Sequence, residues 1–140
     1  MIRPVVHWEI YARDLAKTRS FYAELFGWQM QEFTPEYTLV DTGGEGGIGG
    51  GIMQAPPGMN PAVTFYVLVD DLDAFLKRAE ALGGTTVMPP TPIPNVGHFA
   101  MFTDLDGHCI GLFKSDGGPM PEPPKRPGCP APPQRTLIRC

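Results

Sequence analysis

Val5-Val-His-Trp-Glu-Ile-Tyr11 and Val63-Thr-Phe-Tyr-Val-Leu-Val69 are two runs of strand character, each followed by an Asp-Leu pair at 14–15 and 71–72. A shift of 57 residues lays Asp14 on Asp71, Leu15 on Leu72, Leu25 on Leu82 and Gly27 on Gly84. Self-similarity at a fixed offset marks a chain built twice from one unit. After each Asp-Leu pair comes a helical pattern. Leu15, Thr18, Tyr22 and Leu25 keep the spacing of one buried stripe, as do Leu72, Phe75, Leu76, Ala79 and Leu82. Asp14 and Asp71 are placed to cap the helices, and Gly27 and Gly83-Gly84 to end them.

Short strands follow each helix. Trp28–Phe33, Tyr37–Asp41 and Ile48–Met53 complete the first half. Thr85–Met88, Gly97–Thr103 and Cys109–Lys114 complete the second, with Asp104-Leu-Asp-Gly107 as a hairpin turn. Each half therefore reads strand, helix, three strands, an α+β architecture. The halves cover about residues 4–55 and 62–114, joined by the proline-rich stretch 56–61. Residues 115–140 read as a Pro/Gly-rich extension, with eight of the 17 prolines in the last 25 residues.

Composition narrows the function classes. Seventeen glycines and 17 prolines in 140 residues exclude a helical bundle. A net charge of −4 without a basic cluster argues against nucleic acid, and no apolar run reaches membrane-spanning length. The polar N-terminus and three cysteines without zinc spacing point to a cytoplasmic, reduced protein.

Alternation sorts the opening strands by face. Val6, Trp8 and Ile10, with Val63, Phe65 and Val67, are expected beneath the helices. His7, Glu9 and Tyr11, with Thr64, Tyr66 and Leu68, fall on the opposite face, a candidate ligand surface. Gly44-Glu-Gly-Gly-Ile-Gly49 satisfies G-x-G-x-x-G, but no helix can open at Ala55-Pro56-Pro57, so it reads as a turn leading into a strand poor in side chains. That poverty along Gly49–Gly51 is expected to leave room for a ligand.

His7, Asp14-Leu15, Ser20-Phe-Tyr-Ala-Glu-Leu-Phe-Gly27, Val69-Asp-Asp-Leu-Asp73, Ala81-Leu-Gly-Gly84 and Asp104-Leu-Asp-Gly107 together resemble the vicinal oxygen chelate superfamily, which includes glyoxalase I, bleomycin-resistance proteins and extradiol dioxygenases. The resemblance implies two paired β-α-β-β-β modules forming an eight-stranded cup, often in a homodimer, around a divalent metal and a small oxygenated ligand. It also implies four metal-ligand positions, and here they diverge. His7 fits the first. The second falls on Thr64 and the last on Gly111, and between Gly46 and Val69 there is no His, Asp or Glu for the remaining one. A hydroxyl and a glycine are poor substitutes for imidazole and carboxylate.

The usual metal site is thus expected to be degenerate, with no cofactor required and glyoxalase I activity disfavoured. The expected function is binding of a small oxygenated molecule against His7, Glu9, Gly50, Thr64, Tyr66, His98 and Gly111. One alternative is a metal-independent isomerase, epimerase or lyase in which Glu9 and His7 do acid–base work. Another is a metal-dependent lyase or dioxygenase with a non-standard site drawn from His7, Glu9 and His98. A third is an adapter whose proline-rich tail binds a partner.

Overall fold

The structure, a computed structural model, describes residues 2–116. The tail at 117–140, with Cys129, Cys140 and the adapter reading attached to it, lies outside the described residues. The described chain is α+β, with eight strands and two helices in two β-α-β-β-β modules. It divides into two compact units, residues 7–63 and residues 64–116 together with 2–6.

The first unit contains β1 (Val5–Ala12) from His7 on, α1 (Leu15–Phe26), β2 (Gln29–Thr34), β3 (Tyr37–Asp41) and β4 (Gly50–Gln54). Its strands lie in the order β2-β3-β4-β1, with β1 parallel to β4 and the other pairs antiparallel. The Asp14 carboxylate accepts from the Lys17 amide at 3.1 Å and so satisfies one of the orphan donors of α1. Gly27 ends the helix in the left-handed conformation, φ 69°. Trp8, Ile10, Tyr22, Trp28 and Met30 pack around Ala12, Leu15, Val40 and Ile52 beneath α1. Burying an aliphatic or aromatic side chain is worth about 1.5–3 kcal/mol, so this cluster fixes which face of the sheet is covered.

The second unit contains β5 (Ala62–Leu68) from Thr64 on, α2 (Leu72–Ala81), β6 (Thr85–Ile93), β7 (Gly97–Thr103) and β8 (Cys109–Ser115), in strand order β5-β8-β7-β6. The pattern of the first unit recurs, with β5 parallel to β8. Asp71 caps α2 by accepting from the Ala74 amide at 3.0 Å. Asp104 closes the β7–β8 turn, accepting from the Asp106 and His108 amides at 2.9 Å each. Those backbone bonds, His108 first, hold its carboxyl below the usual carboxylate range.

Two expectations about the elements need correction. β6 runs on past Met88 through three prolines to Ile93. It is the outer strand of its unit and its register shifts twice, so prolines without an N–H are accommodated. Val63 and Phe65 were expected under the helix, yet they are 73% and 40% exposed. The apolar face of α2 is filled by Val67, Val69, Ala100, Phe102 and Leu112, which leaves the start of β5 uncovered.

Candidate functional site

His7, Glu9 and Tyr11 alternate along β1 and so share the face turned away from the Trp8 and Ile10 packing. Glu9 is buried, at 7% exposed. A buried carboxylate is costly unless hydrogen bonds replace its water. Two phenols do this: the Tyr11 hydroxyl donates to Oε1 at 3.1 Å, and the Tyr37 hydroxyl donates to Oε2 at 2.9 Å. His7 Nε2 lies 2.6 Å from the same Tyr37 oxygen. A phenol carries one proton, and Tyr37 commits it to Glu9. The imidazole must therefore supply the other, as the neutral Nε2–H tautomer. The result is a directed chain, His7 to Tyr37 to Glu9, with Tyr11 donating from the other side.

The electrostatics agree. Burial lowers the His7 pKa from 6.5 to about 4, so the ring is neutral near pH 7. Burial first, then the adjacent Glu9 charge, pushes the Tyr37 phenol well above its ordinary value and keeps its proton in place.

A pH dependence follows from His7. The unfolded chain takes up its proton near pH 6.5 and the folded chain only near pH 4. Between those values the unfolded state binds more protons, so stability is full above pH 6.5 and falls as the pH drops to 4. For a half-buried ring the loss is roughly 2 kcal/mol. Urea denaturation of His7→Gln beside the parent should show their stability difference changing over this window; a constant difference would exclude the effect.

Tyr37 reaches β1 by lying across β4. Register places Gly51 between Leu39 of β3 and Glu9 of β1. A Cβ on Gly51 would stand 2.1 Å from the Tyr37 hydroxyl oxygen and 2.3 Å from its Cζ. The glycine is there for close approach: its missing side chain is the bed of the phenol.

This corrects the reading of the glycine run as vacant space. Gly50 belongs to the helix side, where the Trp8 indole covers it and donates from Nε1 to the Ile48 carbonyl at 2.8 Å. Gly51 is covered by Tyr37. In the second unit Gly111 pairs with Tyr66 in register, and the Tyr66 ring lies 2.3 Å from where a Cβ would be. Both units thus set a glycine opposite the middle of the opening strand and lay a tyrosine ring over it. Tyr37 was not named from the sequence as a site residue. Its signal was a tyrosine opening β3, two strands from Glu9, with a glycine in the strand between.

The remaining candidates lie in the second unit. Thr64 is buried and donates to the Cys109 carbonyl at 2.7 Å. Tyr66 packs with Val96 and Phe113, flanked by Leu68, Ile93 and Phe99. His98 is exposed and pairs with Asp116 at 3.2 Å. Burial pushes the Cys109 thiol up, which disfavours a thiolate nucleophile.

Three of the positions that the resemblance assigns to metal ligands are His7, Thr64 and Gly111. The His7 Nε2 is bonded to a phenol, the Thr64 hydroxyl to a carbonyl, and a tyrosine ring covers Gly111. Among the described residues no three His, Cys, Asp or Glu side chains gather as a metal requires.

Comparison with known proteins places this geometry in a family. Residues 5–112 match the Glyoxalase/Bleomycin resistance protein/Dioxygenase superfamily. CFP32 of Mycobacterium bovis, a glyoxylase by the proposal in its name, is 29% identical over 115 residues, covering 77% of this chain and 44% of the relative. The anthracycline biosynthesis protein DnrV of Streptomyces peucetius is 29% identical over 118 residues, covering 72% and 43%. The chain thus spans less than half the length of these two curated relatives. The crystal structure of methylmalonyl-CoA epimerase from Mycobacterium tuberculosis is similar in fold, with a TM-score of 0.61 at 18% identity over 79% of this chain and 87% of that one. Among the described residues, no helix is long and apolar enough to cross a membrane. With the repeated β-α-β-β-β unit and a match over nearly all of the described residues, the chain belongs to the glyoxalase/bleomycin resistance protein/dioxygenase superfamily.

Proposed function

We propose that this chain binds a small oxygenated molecule without the help of a divalent metal, on the face of β1 that carries His7 and Glu9. The observation behind this reading is the buried carboxylate of Glu9, held by two phenols and linked through Tyr37 to a neutral imidazole. Such a line of fixed donors and acceptors orients a polar ligand at little reorganisation cost. His7 and Tyr37 are half-buried, so a ligand meets the line at that end. Relatives named for a glyoxylase and for anthracycline biosynthesis support small-molecule chemistry.

A second reading is metal-free proton transfer next to a carbonyl, in an isomerase, epimerase or lyase. The continuous hydrogen-bonded path between Glu9 and His7 favours it, because a carboxylate and a neutral imidazole joined by a phenol can share the proton removed.

The test is a thermal-shift screen of the chelator-treated protein against small ketones, hydroxy acids, enols and phenols. Stabilising compounds are expected in the absence of added metal, with their effect reduced in His7→Ala. If every stabilising compound required a divalent ion, or if none stabilised, the proposal would be overturned.

A further inference from the structure

The Tyr37 ring is held as a ligand would be. Beneath it is a backbone without a side chain, Gly51. At one edge of its hydroxyl is an acceptor, Glu9 Oε2 at 2.9 Å, and at the other a donor, His7 Nε2 at 2.6 Å. A flat bed with an acceptor and a donor converging on one oxygen is a receptor for a hydroxyl on a planar ring. The second unit has the flat bed in Gly111, but there the covering ring grows from the opposed strand itself as Tyr66. Only in the first unit does the ring reach over from a strand two places away.

We propose that the space filled by Tyr37 is a recognition slot for a phenolic or enolic hydroxyl, and that a ligand of this class enters by displacing the Tyr37 ring. The inference rests on the small-molecule reading above and names its ligand class. The exchange is close to balanced in hydrogen bonds. An incoming hydroxyl donates to Glu9 and accepts from His7 as the outgoing one did, so the cost is the reburial of one ring. Tyr37 sits at the mouth of the β2–β3 turn, beside Phe33 at a ring-centroid distance of 6.3 Å. It therefore has an end of the sheet towards which to swing. A carboxylate ligand is selected against, because its charge would face Glu9 at hydrogen-bond distance with no proton between them.

The experiment has two arms. In the first, Tyr37→Ala is titrated with p-cresol, the tyrosine side chain as a free molecule, and with toluene, which lacks only the hydroxyl. Binding is read by thermal shift and by amide shifts at Gly51 and Glu9. The expected result is at least tenfold tighter binding of p-cresol than of toluene, with the preference lost in Tyr37→Ala/Glu9→Leu. Equal affinities would reduce the slot to an apolar hole and overturn the proposal. In the second arm the unaltered chain, with labelled tyrosines, is titrated with 2-naphthol. The Tyr37 ring resonances, assigned by their loss in Tyr37→Phe, are expected to move and saturate. Unmoved Tyr37 resonances under saturating 2-naphthol, or no binding, would overturn it, and this arm stands even if Tyr37→Ala does not fold. If the metal-free screen finds stabilising compounds and none is a phenol or enol, the slot fails while the binding reading stands; if it finds none, the binding reading itself fails.

Discussion

Gly51→Ala is expected to destabilise the protein by about 3–5 kcal/mol, a large loss for the smallest side chain that can be added. The new Cβ would meet the Tyr37 hydroxyl oxygen at 2.1 Å, far inside contact distance. The phenol ring is rigid and must swing away as a unit. Overpacking of this kind costs about 1–3 kcal/mol. Moving the ring also breaks two short hydrogen bonds and leaves Glu9 with one phenol fewer in a buried place, a further penalty of about 1–3 kcal/mol. A double-mutant cycle isolates the cause, since in Tyr37→Ala the obstacle is gone and alanine at 51 should cost well under 1 kcal/mol. Urea denaturation of the four proteins measures it. An equal cost in both backgrounds would mean that Gly51 serves something other than Tyr37. Neither Gly50 nor Gly51 has a positive φ, so backbone strain offers no competing explanation.

The same glycine shows where the sequence was legible and where it stopped. Repeats, caps and alternation depend on residues near one another in the chain. Asp14, Asp71 and Gly27 therefore stand where spacing put them, as do the strands Tyr37–Asp41 and Gly97–Thr103. Pairing His7 with Glu9 was also legible, since both lie on one face of one strand. What fills the space beside a glycine depends on a third strand, and no local pattern carries that. The poverty of side chains along Gly49–Gly51 suggests empty space, because a missing side chain looks the same whether a ligand, an indole or a phenol lies over it. The structure distributes these roles: Trp8 over Gly50, Tyr37 over Gly51, Tyr66 over Gly111. The open start of β5 has a similar origin. Alternation gives the face of Val63 and Phe65 but not how far a ten-residue helix extends along the strand. The proline-bearing length of β6 depended likewise on its being outermost, a property of strand order and not of the run itself.

Removing the Glu9 carboxylate should have the other large effect, and its size should depend on what replaces it. Glu9→Ala leaves two phenols, Tyr11 and Tyr37, without the acceptor both point at. Losing a charged acceptor costs each hydroxyl up to about 1–3 kcal/mol, the cavity left by the side chain adds to this, and the expected loss is about 2–5 kcal/mol. Glu9→Gln keeps the shape and should cost much less, because the chain of hydrogen bonds can run backwards. The amide oxygen still accepts from Tyr11, while the amide nitrogen donates to the Tyr37 oxygen. Tyr37 then turns its proton towards His7, whose Nε2 must become the acceptor and whose proton must move to Nδ1. Ring-nitrogen chemical shifts of His7 should therefore exchange between the parent and Glu9→Gln, with little change elsewhere. A folded Glu9→Gln protein in which His7 keeps its Nε2–H tautomer would show that Glu9 does not set the direction of the chain. A carboxylate that sets it also fixes which atom of His7 can give or take a proton, and so links the stability of this face to the chemistry it can perform.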